Sequence, residues 1–148
     1  MEDLGGRQLV VFDGRCRLCN GAVRWLLARD WNDRLRFVAF ESPKAAGVLA
    51  RHGFGPRNSA TGAIAPGTLL VVRDPNGPAE RIFVRSAAVL ALWAELPRPW
   101  PALAAALGWI PRPLRDLGYR LVARWRYRIW GELESCPAPA AEERERFL

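Results

Sequence analysis

The stretch "VVFDGRCRLCNGAVRWLL", residues 10–27, passes from an apolar, β-branched run through Asp13 and Gly14 to two cysteines, and then into a helix-like pattern. Residues 8–12 read as a short buried strand ending at the Asp13-Gly14 turn signal. Over residues 17–29, Leu18, Ala22, Val23, Leu26 and Leu27 recur at helical spacing while Arg17, Arg24 and Arg29 fall elsewhere, which predicts an amphipathic helix. Cys16 and Cys19, separated by Arg17 and Leu18, then sit at its first turn.

That location suits thiol-disulfide exchange. Thiolate is the reacting species, and a helix N-terminus offers free backbone N–H groups and the positive end of the dipole, lowering a thiol pKa from about 8.5 to as low as about 3.5 in such motifs. Cys16 lies nearest that end and is the expected nucleophile, with Arg15 and Arg17 adding positive potential. Cys19, one turn further in, is placed to attack a mixed disulfide at Cys16 and release the substrate thiol. Asp13 has two readings: it takes the proton of Cys19 during that attack, or it holds the turn through backbone N–H bonds. Zinc is the rival for the pair, since Cys-x-x-Cys is half of many zinc sites and His52 with Cys136 would complete four ligands. The second half lacks a paired knuckle, and His52 in "RHG" reads as an ordinary residue at a helix end.

Working outward, "LRFVAF" (35–40) is a second strand, and Ser42-Pro43 opens a helix that runs to about His52-Gly53. A Gly-, Pro- and Ser-rich loop, 54–67, precedes a third strand, 68–73. "DPNGP" turns the chain into a fourth strand, 81–85, making a hairpin. Ser86 is placed to cap a helix over 87–96, and after "PRPWP" two more helices are expected, 102–109 and 113–130, before a polar tail. Strands joined by a helix run parallel and strands joined by a tight turn antiparallel. The order predicts an α/β, thioredoxin-like mixed four-stranded sheet flanked by helices: a core over 1–98 and a helical extension and tail over 99–148 packed on it, one domain overall.

Composition fits this plan. A chain of 148 residues, half apolar and a quarter charged, can bury a real core without staples. The acidic start "MEDLGG" has no basic n-region, and no uncharged apolar run is long enough to span a bilayer, so the chain is expected in the cytoplasm. Three cysteines in a reducing compartment argue for chemistry rather than a disulfide framework. The net charge of +7 comes almost wholly from arginine, Lys44 being the one lysine, which has the look of coding bias.

"FDGRCRLCN" resembles the Asp-x-x-Cys-x-x-Cys signature of the DCC family of thiol-disulfide oxidoreductase-like proteins. The similarity continues through "RFVAFES", "VRSAAVLAL" and "YRLVARWRYRIWG" to "CPAP". The resemblance implies that Asp13, Cys16 and Cys19 are the family's site residues, that Ser86 matches its Arg-Ser-x-Ala serine, and that Arg126, Tyr127 and Gly131 match its C-terminal motif. Trp125 stands where that motif usually has asparagine. Thioredoxin-like proteins also carry a cis-proline before the third core strand; Pro66 is the candidate, one residue displaced by Gly67. Cys136 is either a third redox partner folding back on the pair or a spectator thiol.

Residues 112–130 hold six arginines and one aspartate, with Leu114, Leu117, Leu121, Trp125 and Ile129 along one face. The commoner arrangement packs such a face on the core; the other meets an anionic membrane surface or an acidic partner. Nucleic acid is not expected, for want of any named motif or exposed aromatic platform. The sequence therefore points to a dithiol-disulfide oxidoreductase acting on a protein or small-molecule thiol, with no metal or organic cofactor. The competing readings are a noncatalytic redox-sensing or interaction module that binds a membrane protein or acidic partner through the basic helix, and a zinc protein.

Overall fold

The computed structural model describes residues 6–12, 17–40, 42–52, 69–75, 77–131 and 141–147, without the side chains of 126, 127 and 141–143. Strand β1 (Gln8–Phe12) leads to helix α1 (Arg17–Arg29), β2 (Leu35–Ala39), α2 (Pro43–Arg51), β3 (Leu70–Arg73), β4 (Arg81–Val84), α3 (Arg85–Glu95), α4 (Trp100–Gly108) and α5 (Arg112–Ile129). A 3₁₀ turn, Ala141–Arg146, follows.

The sheet order is β2-β1-β3-β4. β1 pairs parallel with β2 and antiparallel with β3, and β3 pairs antiparallel with β4, so the mixed four-stranded plan read from the chain is realised. β1 is buried along its whole length because alternate side chains serve opposite layers. Val10 and Phe12 join Phe37 and Val71 under α1 and α3, where Val23, Leu26, Ala88 and Leu92 meet them. Leu9 and Val11 join Val38 and Val72 under α2, against Ala45, Val48 and Leu49. Double-sided burial explains why the strand reads as a continuous apolar run rather than an alternating one.

Two buried carboxylates organise the connections. Asp30, at the end of α1, accepts from the backbone N–H groups of Arg34 (2.9 Å) and Leu35 (3.0 Å), fixing the turn into β2. The chain's end docks here: the Arg146 guanidinium lies 3.5 Å from Asp30 and 3.4 Å from Asp33, and Phe147 packs on Phe37 and Phe12. The sequence reads as a polar tail in this region; a single aromatic in a short charged segment has no periodicity to betray its docking.

Asp116, on α5, makes the second tie. Its carboxylate accepts a very short hydrogen bond from the Ser86 hydroxyl and a longer one, 3.4 Å, from the Ser86 backbone N–H. Ser86 is therefore not the cap of α3, as its position suggests. The helix starts two residues earlier than expected, at Arg85, with Val84 before it and no side-chain cap of its own. The cap comes from α5, where a negative group faces the positive end of α3. Nearby, the Leu69 N–H donates to the Tyr119 hydroxyl at 2.8 Å, a second polar tie between α5 and the core.

Asp116 and Asp33 make the fold acid-labile. The Ser86 hydroxyl bond, helped by its N–H and by Arg112 and Arg85, holds Asp116 below the usual carboxylate range against the opposing effect of burial. Hydrogen bonding from Arg36, with Arg146 and Arg7 adding charge, pulls Asp33 down to about 2. A carboxyl whose folded pKa is depressed contributes stability above its unfolded pKa of about 3.9 and loses it as pH falls through the folded value. The urea midpoint is expected to drop steeply between about pH 4 and about pH 2. Asp116→Asn should start lower at neutral pH and lose less over that interval; equal acid losses in both proteins would exclude Asp116 as a source.

Candidate active site

Because β1 is an inner strand with β2 on one side and β3 on the other, its C-terminal end lies at mid-sheet, where the pairing changes from parallel to antiparallel. Crevices at such points are where α/β sheets bind ligands. Residues 13–16 link this end to α1. Asp13 and Cys16 lie outside the described residues, as do Pro66 and Cys136. Cys19 is described: it is the third residue of α1, half-buried against the cluster of Val10, Phe12 and Val23.

The first turn of α1 contains no acidic residue and begins with the exposed Arg17. The positive end of its dipole therefore faces no opposing charge from within the helix, a setting that stabilises thiolate. Arg17 also meets the C-terminal motif. Gly131, with φ +88°, follows the end of α5, and a side chain there would come 3.6 Å from Cδ and Nε of Arg17. Glycine takes that positive-φ backbone conformation without the strain another residue would carry, and the Arg17 stem lies within contact distance of it.

An apolar groove of roughly 670 Å³ runs along the flank of α1. Arg17 and Leu18, the two residues between the cysteines in sequence, line it together with Trp25, Trp93 from α3, Trp100 at the start of α4, and Trp130 just past α5. Trp100 stands edge-on to Trp25 at 4.5 Å and packs on Trp93 at 5.2 Å, while the Arg29 guanidinium covers Trp25 at 4.2 Å. The local sequence patterns around these four tryptophans do not show that they converge. The usable signal was their concentration in the second half of the chain, beside one tryptophan on the cysteine helix.

Other expected site residues fall elsewhere. Ser86 ties α3 to α5 through Asp116, as above. Arg126 and Tyr127 lie within α5, their side chains undescribed. His52 sits at the end of α2 with Nε2 2.8 Å from a carboxylate oxygen of Glu80, which also pairs with Arg51 at 2.9 Å. Among the described residues no group of three or more His, Cys, Asp or Glu side chains could hold a metal ion. No helix among them is long and apolar enough to cross a membrane.

The basic helix overturns the commoner expectation. The side chains that α5 turns to the protein include Asp116 and Tyr119, whereas Leu114, Leu117, Leu121, Trp125 and Ile129 are exposed. The apolar face does not pack on the core.

Comparison with known proteins matches the chain to one family. The model of a family described as DCC1-like thiol-disulfide oxidoreductase matches residues 10–132. A DCC family protein of Arabidopsis thaliana, described as chloroplastic, is 34% identical over 130 residues, covering 88% of this chain and 69% of that protein. The uncharacterized protein YuxK of Bacillus subtilis is 26% identical over 141 residues, covering 95% of this chain and 93% of that one. No solved structure matches the chain.

Proposed function

The chain belongs to the DCC1-like thiol-disulfide oxidoreductase family, and from that premise we propose that it exchanges dithiol for disulfide through Cys16 and Cys19. The observation that carries this reading is the position of Cys19 on the first turn of α1, directly after the mid-sheet end of β1. The Cys16 thiolate attacks one sulfur of a substrate disulfide, whose S–S bond breaks and whose leaving sulfur takes a proton. Cys19 gives its proton to Asp13 and attacks the Cys16 sulfur of the mixed disulfide. The second substrate thiol leaves, and the two electrons gained by the substrate are balanced by the Cys16–Cys19 disulfide. A second dithiol reverses these steps to reset the pair. The chemistry needs no metal or organic cofactor, and it suits a reducing compartment, where the pair is returned to thiols.

The groove beside α1 favours a polypeptide thiol or disulfide over a small charged one. Its described walls are almost wholly apolar, and among the described residues Arg17 is the one charged side chain lining it, so it offers burial to apolar side chains that flank a reacting cysteine. Gly21 lines the same groove, and a side chain there would meet nothing within 4 Å. Gly21→Gln fills this space without disturbing α1. It is expected to raise KM for a reduced-protein substrate by about tenfold relative to KM for a small aromatic disulfide. An unchanged ratio would remove the groove from substrate binding.

The Cys16 thiol pKa, read from the pH dependence of alkylation, tests the redox reading itself when measured beside turnover of a model disulfide. A depressed value with turnover is expected; a value near about 8.5 without turnover leaves a noncatalytic redox-sensing module.

A further inference from the structure

We propose that α5 is a docking face for anionic membrane surfaces. Most amphipathic helices of a folded domain turn their apolar stripe inward. In α5 the stripe is outward: Leu114 (60% exposed), Leu117, Leu121, Val122, Trp125 and Ile129 (65% exposed) lie on one side of the helix. Asp116 and Tyr119, on the other side, bond to Ser86 and Leu69 and hold the helix to the body of the protein. The apolar surface continues through the turn before α5, where Trp109 is 90% exposed beside Ile110. A contiguous exposed apolar face of this kind marks an interaction site.

Charge selects the occupant. Arg120, Arg124 and Arg128 succeed one another at intervals of four, and so run along one border of the stripe. The guanidinium groups of Arg124 and Arg128 lie 5.9 Å and 5.2 Å from the Trp125 ring. All three arginines are exposed, and among the described residues none has a carboxylate partner. Asp116 is the one acidic residue of the helix, and it faces the protein. An apolar stripe that includes a tryptophan and is bordered by arginines is the arrangement of helices that lie in the plane of a bilayer surface. The stripe enters the acyl boundary, the arginine stems follow it, and the guanidinium groups reach lipid phosphates. A protein partner for a stripe this long would need a matching apolar groove rimmed with carboxylates; an anionic bilayer presents both features without a fitted shape.

Vesicle binding by the full chain tests the proposal. The protein is expected to sediment with vesicles containing roughly 30% phosphatidylglycerol and far less with pure phosphatidylcholine, and to be released as salt rises from about 50 mM to about 500 mM. Tryptophan emission should shift to the blue on binding. Replacing Arg120, Arg124 and Arg128 by glutamine should weaken binding to the anionic vesicles by about a hundredfold. The exposed pair Leu117→Gln/Leu121→Gln should weaken it at least about tenfold, with an unchanged circular dichroism spectrum. Wild-type protein that ignores both kinds of vesicle, or a leucine double variant that binds like wild type, would overturn the proposal. So would a wild-type dimer that becomes monomeric in the leucine variant while neither binds vesicles, because the face would then serve a second copy of the chain.

Discussion

Cys16→Ser is expected to lower turnover of every disulfide substrate by at least about a thousandfold, because a serine hydroxyl is not appreciably ionised at neutral pH and cannot take the part of the attacking thiolate. Cys19→Ser should behave differently. The first attack survives, since Cys16 still precedes a helix whose first turn holds no acidic residue. The mixed disulfide then has no internal thiol to displace it, and a one-to-one covalent adduct should accumulate, visible by mass spectrometry without reductant. Asp13→Asn separates the two readings of that aspartate. As proton acceptor for Cys19, its loss should slow resolution at neutral pH by about a hundredfold, with recovery as pH rises and with Cys16 alkylation unchanged. As a turn residue only, its loss should lower the melting temperature and leave the shape of the pH profile intact. A Cys16→Ser protein that keeps a tenth of wild-type turnover, by about the margin that separates a nucleophile from an auxiliary group, would remove the mechanism altogether.

What could be read from the chain alone follows the physics of each signal. β1, α1 and β2 were legible because local pattern and tertiary role coincide there. The strands are apolar on both sides because both sides are covered, and α1 buries Val23 and Leu26 as its periodicity demands. Errors appear where a distant group replaces a local one. The third strand was expected from residue 68, yet β3 begins at Leu70, and the N–H of Leu69 goes to the Tyr119 hydroxyl. Ser86 carries a capping signal, but the carboxylate that caps α3 arrives from Asp116, thirty residues on. In α5 the periodicity was right and its direction wrong: an apolar stripe states that something covers it, not that the rest of the same chain does. The tryptophan groove is illegible for a related reason, since Trp25, Trp93 and Trp100 come from three separate helices and Trp130 from the residue after α5, and each fits its local pattern.

Asp30→Ala is expected to cost about 3–5 kcal/mol, more than any surface ion pair in the molecule could account for. The residue is 1% exposed, and its carboxylate takes the N–H groups of Arg34 and Leu35 at the turn into β2. Truncation strands both donors, that of Leu35 in a buried position, at about 1–3 kcal/mol for each donor left unsatisfied. It also leaves the Arg146 guanidinium without the carboxylate 3.5 Å away, loosening the segment that carries Phe147 onto Phe37. Arg146→Ala removes only the second effect. With that side chain about a quarter exposed and Asp33 still beside it, the ion-pair loss should be close to about 1 kcal/mol. The double variant should cost less than the sum of the singles, because Arg146 has one partner fewer to lose once Asp30 is gone. Urea unfolding with an unchanged m-value reads all three quantities. If Asp30→Ala and Arg146→Ala cost the same, the tail contact is what Asp30 is for; a larger cost for Asp30→Ala means that the carboxylate serves first to shape the turn that starts β2 beside β1.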